Sequence, residues 1–454
     1  MDLLFGRKPG PAHIPGDRIV PLHFFEKSPL VKDNNFAVSL VFDDVLDLEK
    51  LRESLEGLVK REGLQLPGGR LRKNAAGETE WHIPAEFTAE RPAIAFAHID
   101  HGMPAASHPA ASKIPQPSTQ PAILGDPDNL ADLAWEAGYQ PGGISDYLTS
   151  DRPWQHVAFD DLGMLYVVEG WSSMLWGKTD QIPTPCAFDT DPFDALAKGS
   201  RPITEQHVLS DKRVSLGGLL QWGLGYGVDM LVHAKENRMV CTPETYWRVQ
   251  LDKTLEELRA EAIAKGEDVS KVFLTENDIL MAWTIRCIVS SMEMNSDRTV
   301  ATSIAMSLRK AFEGDLIPPS AEHPYVGNAY GWANVLVKAG DVSSKPLSWL
   351  ARTSVARLTS RERAQSMKLI TTCFSNWSKT GLFNLDFAPA RKTPKADVAC
   401  KPSYIQKNHG PIKPADGWFI FGKDDKGNYW SSACRVKGQW TKFQAQIDND
   451  FKDA

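Results

Sequence analysis

Apolar residues recur with two different periods in the first 90 residues, and each period predicts a different element. The segment NFAVSLVF, which begins at Asn35, alternates residue by residue and predicts a half-buried strand. From Leu48 to Leu58 leucines recur at helical spacing after Asp47, a residue type that favours helix N-termini. RLRKNAAGETEWHIP predicts two short strands joined by a turn at Asn74 to Gly77. The chain therefore opens with a strand, a helix and a hairpin.

The second half of the chain shows similar patterns. Arg238 to Pro243 predicts a strand, and helices are predicted from Leu251 to Ala264 and from Thr275, where Thr275 and Asp278 match a capping box. GWFIFGKDDKGNYWSSACRV predicts a hairpin. In VSLGGLLQWGLGYGVDMLVH the glycines lack the GxGxxG spacing of a dinucleotide loop, so this segment favours helix packing over nucleotide binding.

The stretch DRPWQHVAFDDLGMLYVVEGW, residues 151–171, joins a candidate base to a predicted helix. His156 and Asp160 form an HxxxD pair, and apolar residues then recur at helical spacing from Leu165 to Leu175. This pattern places His156 in a loop that enters a helix. A neutral imidazole there can take a proton from an alcohol as its oxygen attacks a thioester, and can return that proton to the leaving thiolate.

A second HxxxD pair, His207 with Asp211, competes with the first. With 11 histidines in the chain, chance alone supplies about one such pair, so context must decide between them. The second pair is flanked by Pro202 and by Lys212, and no apolar segment of helical period follows it at once. We interpret it as part of a surface linker, and the context favours His156 as the base.

Composition bounds the class of protein. The 454 residues exceed one typical core, which predicts two domains of about 200 residues each. The formal net charge of -6 and the absence of a long basic run argue against nucleic acid or an anionic membrane as the main partner. No signal peptide and no apolar run long enough to span a membrane is evident, so we expect a cytoplasmic protein and, as a further expectation, a monomer.

Cysteines and histidines give no sign of a metal site. The six cysteines are scattered without CxxC spacing, which favours reduced thiols over a disulfide framework or a zinc site. His98, Asp100, His101 and His108 lie around the start of a Pro/Ala/Ser-rich loop at Gly102 to Pro121. No predicted element would hold these side chains in a tetrahedral arrangement, so we expect no metal.

Taken in order along the chain, several motifs resemble those of the BAHD-type acyltransferases, most closely the fungal branch that acylates secondary metabolites. LEKLRESLEGLVKREG and LPGGRLRKNAAGETEWHIP resemble the family's N-terminal pattern, and HVAFDDLG resembles its HxxxDG motif. SLRKAFEGDLIPP from Ser307, with YVGNA from Tyr325, is similar to "R....PPLP..Y.GN". SNWSKTGLFNLDFAPA from Ser375 is similar to "SSW....F...DFGWG". The motifs follow the family's order over nearly the whole chain.

The resemblance implies an α/β (α+β) fold of two chloramphenicol-acetyltransferase-like domains, with mixed β-sheets, flanking helices and a solvent channel between them. The expected boundaries are 1–180 for the N-terminal domain that carries HxxxD, 181–214 for a crossover linker and 215–454 for the C-terminal domain. It also implies acyl-CoA, and most simply acetyl-CoA, as co-substrate, a small-molecule alcohol as acceptor and no tightly bound cofactor.

The same resemblance assigns roles to residues. His156 would be the general base at the middle of the channel, and Asp160 would be structural and paired with Arg309. Asp386 would support the site. The polar side chains near the thioester, as channel or oxyanion candidates, would come from Ser375, Asn376 and Trp377.

Two departures from the family pattern keep alternatives open. Asp161 stands where the family has glycine and adds a negative charge beside the catalytic turn, and DFGWG has become DFAPA at Asp386 to Ala390. One alternative is a CoA-independent cyclisation or condensation of a polyketide- or terpenoid-like substrate on the same fold. A second is a non-catalytic protein that binds a small molecule.

Overall fold

The computed structural model describes most of the chain, and the described residues are 11–28, 36–131, 133, 148, 150–151, 161–186, 188–200, 215–290, 296–356, 369–409 and 417–452. The two predicted HxxxD pairs, His156 with Asp160 and His207 with Asp211, lie outside these residues.

The strands, numbered in chain order, are β1 (Arg18–Pro21), β2 (Phe36–Val41), β3 (Arg70–Lys73), β4 (Thr79–Ile83), β5 (Ala122–Ile123), β6 (Lys235–Thr242), β7 (Thr299–Ser307), β8 (Tyr330–Lys338), β9 (Leu369–Asn376), β10 (Tyr404–His409), β11 (Gly417–Lys423) and β12 (Tyr429–Val436). The helices are α1 (Leu48–Val59), α2 (Asp161–Leu175), α3 (Asp194–Ala197), α4 (Leu216–Val232), α5 (Glu244–Lys265), α6 (Glu276–Val289), α7 (Arg309–Phe312), α8 (Ala339–Ser344), α9 (Leu347–Ala356) and α10 (Gln439–Lys452).

The largest sheet has seven strands in the order β5, β6, β12, β11, β9, β7, β8. It is mixed, because β9 runs parallel to β11 and to β7 whereas the other neighbours are antiparallel. Helix α6 contributes to the hydrophobic core beside this sheet, together with Trp418 and Phe443. The predicted capping box at the start of α6 is confirmed, since the Thr275 and Asp278 side chains each accept from the other residue's backbone N–H. The predicted β11–β12 hairpin is also confirmed.

A smaller three-stranded sheet has the order β1, β4, β3. The predicted hairpin is confirmed as β3 and β4, and the Asn74 side chain closes its turn by accepting from Ala76 N and Glu78 N. The predicted cap of α1 is confirmed as well, because the Asp47 carboxylate accepts from Glu49 N and Lys50 N at 3.1 and 3.2 Å.

Two strand pairings join sequence-distant parts of the chain. β10 pairs antiparallel with β2, with Lys407 opposite Val38. β5 pairs antiparallel with β6, with Ile123 opposite Val240. The first half of the chain therefore contributes β5 to the seven-stranded sheet of the second half, and β2 and β10 form a two-stranded sheet with one strand from each half. The predicted boundaries at 180 and 214 stay a prediction, and these two exchanges cross them.

The segment at residues 181–200, predicted as part of the linker, is packed against the protein. Phe188 and Phe193 are buried, and the Phe188 ring stacks on His23 with the two ring centroids 4.0 Å apart. The glycine-rich segment that was predicted to be a packed helix forms helix α4. Its residues Leu216, Leu220 and Leu224 are exposed among the described residues, so that packing is not seen there. No described helix combines the length and hydropathy that a membrane crossing requires.

Candidate functional site

The predicted catalytic pair lies between two well-defined anchors. Upstream of His156 and Asp160 the structure describes Asp151, and downstream it resumes at Asp161, where α2 begins. The two predicted catalytic side chains lie outside the described residues, and the contacts of the residues on either side of them are described.

At the upstream end, two arginines hold Asp151. Arg72 on β3 forms an ion pair with the Asp151 carboxylate and donates to the Ser150 carbonyl at 3.0 Å. Arg91 Nε lies 3.4 Å from the second carboxylate oxygen of Asp151. The Arg72 side chain is only 5% exposed whereas that of Asp151 is 36% exposed, so water partly screens this ion pair.

Arg91 is itself fixed by a second carboxylate. Its two terminal nitrogens donate to the two oxygens of Asp17 at 2.8 and 2.7 Å. The hydrogen bond from Arg91 lowers the pKa of Asp17 below its ordinary value. Burial disfavours the charged form of the other arginine and therefore lowers the pKa of Arg72. Two arginines and two aspartates thus interact at this end, and a third arginine, Arg70, is buried beside them.

At the downstream end, α2 is held by packing and by hydrogen bonds to neutral groups. The Trp171 ring packs edge-on against Phe387 with ring centroids 5.1 Å apart, and its indole N–H donates to Ser54 Oγ at 2.9 Å. Ser172 Oγ and Trp176 Nε1 both donate to the backbone carbonyl of Asp386, at 2.9 and 3.0 Å. The helix that follows the HxxxD motif in the sequence is therefore attached to the segment around Asp386.

Asp386 in turn organises its own loop. Its carboxylate accepts from Ala388 N at 2.9 Å and from Cys400 N at 2.7 Å, and residues Ala388–Ala390 form a short 3₁₀ turn. These bonds hold the loop in the altered DFAPA sequence. The supporting role of Asp386 stays a prediction, and its route to the site would run through the two hydrogen bonds from α2.

Arg309, the predicted partner of Asp160, is buried at the start of α7. Its guanidinium donates to two backbone carbonyls, those of Tyr325 at 2.8 Å and Gly327 at 2.6 Å. The YVGNA motif is thereby joined to α7. Because Asp160 lies outside the described residues, its pairing with Arg309 stays a prediction.

Next to the YVGNA motif lies a buried carboxyl that the sequence patterns did not single out. Glu26 accepts from Asn328 N at 2.9 Å and from His23 N at 2.8 Å. Burial raises the pKa of Glu26 to about 8, although both N–H donors favour the charged form. The His23 ring is bonded to Tyr325 Oη at 2.9 Å, and burial lowers the pKa of His23.

The predicted channel residues at the end of β9 are engaged in local contacts. The Trp377 indole N–H donates to Ser375 Oγ at 2.9 Å, and the Trp377 ring is fully buried. The Asn376 amide donates to Asn277, and its oxygen accepts from Ser378 N at 2.8 Å. In this arrangement the indole N–H of Trp377 is directed at Ser375. The channel and oxyanion roles of the three residues stay predictions.

A buried lysine beside this motif was also missed. Lys407 Nζ lies 3.5 Å from the ring centroid of Phe419 and 4.1 Å from that of Phe36. Contact with aromatic faces stabilises a desolvated ammonium. In the sequence, the buried position of this lysine is indicated only by its place in the middle of a strand pattern.

Histidines at the Pro/Ala/Ser-rich loop do come together, since the rings of His101 and His108 are 4.4 Å apart. Over the described ranges, no group of three or more His, Cys, Asp or Glu side chains is arranged to hold a metal ion.

Comparisons with known proteins cover nearly the whole chain. Residues 235–385 match the family model described as Transferase family. Acetyltransferase adrJ of Penicillium rubens is 29% identical over 490 residues, with 97% of this chain and 97% of that protein covered. O-acyltransferase ausP of Aspergillus calidoustus is 28% identical over 493 residues, with the same coverage of both. Over nearly its whole length the chain is thus similar to fungal proteins named acetyltransferase and O-acyltransferase.

A solved structure extends this likeness to the fold. TRI101 of F. sporotrichioides, in a crystal structure with coenzyme A and T-2, aligns with a TM-score of 0.57 over 94% of this chain and 97% of that chain. At 13% identity this likeness shows the fold alone. The predicted fold class, α/β with two chloramphenicol-acetyltransferase-like domains and mixed sheets, is confirmed, and the protein is an acyltransferase.

Proposed function

We propose that this acyltransferase moves an acetyl group from acetyl-CoA to a hydroxyl of a small secondary metabolite, with His156 as the general base. The observation that carries the proposal is the full-length match to two relatives named acetyltransferase and O-acyltransferase, with the HxxxD pair placed directly before α2. The coenzyme A in the TRI101 crystal structure supports acyl-CoA as the donor.

The proposed reaction needs one base and one oxyanion site. His156 takes the proton from the acceptor hydroxyl as its oxygen attacks the thioester carbonyl carbon. The oxyanion that forms on the former carbonyl oxygen is stabilised by polar donors, for which Ser375 and Asn376 are the candidates. The C–S bond then breaks, the thiolate takes the proton from the imidazolium, and the products are an ester and free CoA.

The remaining assignments belong to the same proposal. Asp160 pairs with Arg309 and fixes the HxxxD loop without touching substrate, and Asp386 supports α2. The acyl-CoA donor is a co-substrate, so no tightly bound cofactor is needed. The protein acts as a cytoplasmic monomer.

The base assignment is tested with two histidine variants. Purified protein is given acetyl-CoA and a pool of candidate alcohols, and the free CoA thiol and acetylated products are followed by absorbance and mass spectrometry. His156→Ala should lower turnover at least about a hundredfold, the usual size of a general-base contribution. His207→Ala, the matched control, should keep most of the turnover.

Reversed roles for the two histidines, or full activity in both variants, would contradict the assignment. Conversion of a substrate without release of CoA thiol, and still dependent on His156, would favour the CoA-independent cyclisation or condensation.

A further inference from the structure

We propose that one face of the seven-stranded sheet binds the acceptor and selects a neutral alcohol built on a rigid, fused-ring skeleton. The face is formed by three neighbouring strands, and we call it the open patch. The proposal deepens the proposed function and rests on it, because it names the class of acceptor. The side chains of the open patch come from Ala301, Ser303 and Ala305 of β7, Trp332 and Asn334 of β8, and Cys373 of β9.

The strand register places these six side chains on one face. Ser303 stands opposite Asn334 on one side and opposite Cys373 on the other, and Ala305 stands opposite Trp332. Side chains two residues apart on a strand point to the same face, which brings in the remaining alanine of β7. With strands about 4.8 Å apart and a rise of about 3.3 Å per residue, three strands and five residues give an area of about 10 by 13 Å.

The two faces of these strands are covered to different extents. On the opposite face Val300, Val335 and Phe374 are 0%, 1% and 0% exposed, and they lie in the hydrophobic core that contains helix α6. On the open patch Trp332 is 43% exposed, and the other five side chains are half-buried among the described residues. The patch therefore offers apolar and polar side chains to a ligand, whereas the opposite face is closed.

The composition of the open patch favours a neutral, flat ligand. None of its six side chains is charged, so it provides no cation for the phosphates of acyl-CoA. The central strand contributes only alanine and serine, which lets a ring system come close to the sheet, and Trp332 at the border can pack against a ring. A fused-ring skeleton covers such an area at a lower cost in conformational entropy than a linear chain.

A hydrogen bond within the open patch prepares a donor for an oxygen atom of the ligand. Ser303 Oγ donates to Asn334 Oδ1 at 2.7 Å. This bond orients the Asn334 amide, whose N–H₂ group has no protein partner among the described residues. A hydroxyl or carbonyl oxygen on the ring system can accept from that group, and such a placed polar contact fixes the orientation of an otherwise apolar ligand.

The open patch is continuous with the predicted channel residues. Ser375 follows Cys373 by two positions on β9, so it lies on the same face, and Phe419 of β11 stands opposite it. From there on, this face of the sheet is covered by a hydrophobic core that includes Trp377 and Phe419. The uncovered part of the sheet thus ends at the candidate oxyanion residues, and a ligand on the patch lies beside them.

The test uses Cys373 as a natural probe of the open patch. Its alkylation by N-ethylmaleimide is followed by peptide mass spectrometry, with the half-buried Cys186 as internal control. The ligands are two fused-ring alcohols, 2-decalol and testosterone, the linear alcohol 1-decanol, which has as many carbon atoms as 2-decalol, and CoA. Ala301→Leu and Ala305→Leu add bulk to the patch, and Ala264→Leu adds the same atoms at an exposed position of α5 as the matched control.

Each fused-ring alcohol, at about ten times its dissociation constant, should slow alkylation of Cys373 about tenfold and leave Cys186 unchanged. The same concentration of 1-decanol, and CoA, should slow it less than about twofold. Ala301→Leu and Ala305→Leu should raise the fused-ring alcohol concentration needed for protection about tenfold or more, because the added carbons fill the space of a ring. KM for acetyl-CoA should stay unchanged in both, and Ala264→Leu should behave like the parent.

No alkylation of Cys373 in the free protein would mean that the open patch is covered, and would overturn the proposal. So would the absence of protection by both fused-ring alcohols, or equal protection by 1-decanol. Protection by CoA, with a raised KM for acetyl-CoA in Ala301→Leu, would assign the patch to the donor instead. If a leucine variant does not fold, valine at the same position gives the same readouts. Failure of the proposed function would appear separately, as no release of CoA thiol with any alcohol, whatever the alkylation shows.

Discussion

The described residues on the two sides of the segment 152–160 are held by different physical means. At the upstream end Asp151 is held by two arginines, one of which is also paired with Asp17. At the downstream end α2 is held by the packing of Trp171 and by hydrogen bonds to neutral groups. The upstream end therefore depends on protonation states, whereas the downstream end depends on volume and shape.

This difference bears on how each end can fail. Removing one partner of a buried ion pair leaves the other charge uncompensated. Replacing one carboxylate oxygen by an amide nitrogen, as in an Asp→Asn variant, is therefore enough to disturb the upstream end. A packed helix loses contacts in proportion to the atoms removed, so the downstream end requires a large change in volume. The two ends can thus be broken separately.

The largest stability effect is expected at the downstream end. Trp171→Ala removes the ring that packs against Phe387 and should lower the free energy of unfolding by about 3 kcal/mol, measured by urea denaturation. Trp171→Phe keeps a ring there and loses the bonds to Ser54 and the Leu51 carbonyl, which should cost about 1 kcal/mol. Equal losses in the two variants would mean that hydrogen bonds, and not packing, hold this end.

A smaller, pH-dependent effect is expected at the upstream end. Asp17→Asn should lower the free energy of unfolding by about 2 kcal/mol at neutral pH, because a hydrogen bond between two charged groups is lost. The pKa of Asp17 is lowered in the folded protein, so its stabilisation is fully present above the ordinary pKa of an aspartate. It is lost as the pH falls through the lower, folded-state value.

The contrast between the ends is sharpest when both losses are followed with pH. The gap between parent and Asp17→Asn should narrow as the pH falls below about 4, whereas the gap between parent and Trp171→Ala should keep its size. Parallel narrowing in both variants would contradict the division into an ionic end and a packed end.

Local patterns in the sequence predicted much of the fold because the elements concerned are decided by near neighbours. The cap of α1 at Asp47, the β3–β4 hairpin, the capping box of α6 and the β11–β12 hairpin are set by residues within a few positions of one another. The pairings of β10 with β2 and of β5 with β6 were not predicted. The first pairing joins segments hundreds of residues apart, and the second joins segments more than a hundred residues apart. No local period in the sequence identifies such a distant partner.

In the candidate site, too, contacts between near neighbours could be predicted from the sequence and contacts between distant segments could not. Arg70 and Arg72 stand two apart on a strand and so lie on one face of it, but the sequence does not show that both side chains are buried. It does not identify Asp151 as the partner, because that residue lies 79 positions away. The burial of Trp377 and the bond from its indole N–H to Ser375 likewise depend on surroundings that come from other segments, including Phe36 and Phe421.

Binding of the acyl donor tests the central claim most directly, since it needs no knowledge of the acceptor. Acetyl-CoA would be titrated to about 1 mM by calorimetry, with the melting temperature recorded at each concentration. The account predicts saturable binding and a melting temperature that rises with the logarithm of acetyl-CoA concentration above the dissociation constant, in the parent and in His156→Ala alike. No heat of binding and no shift in melting temperature at millimolar acetyl-CoA would contradict acyl-CoA-dependent transfer.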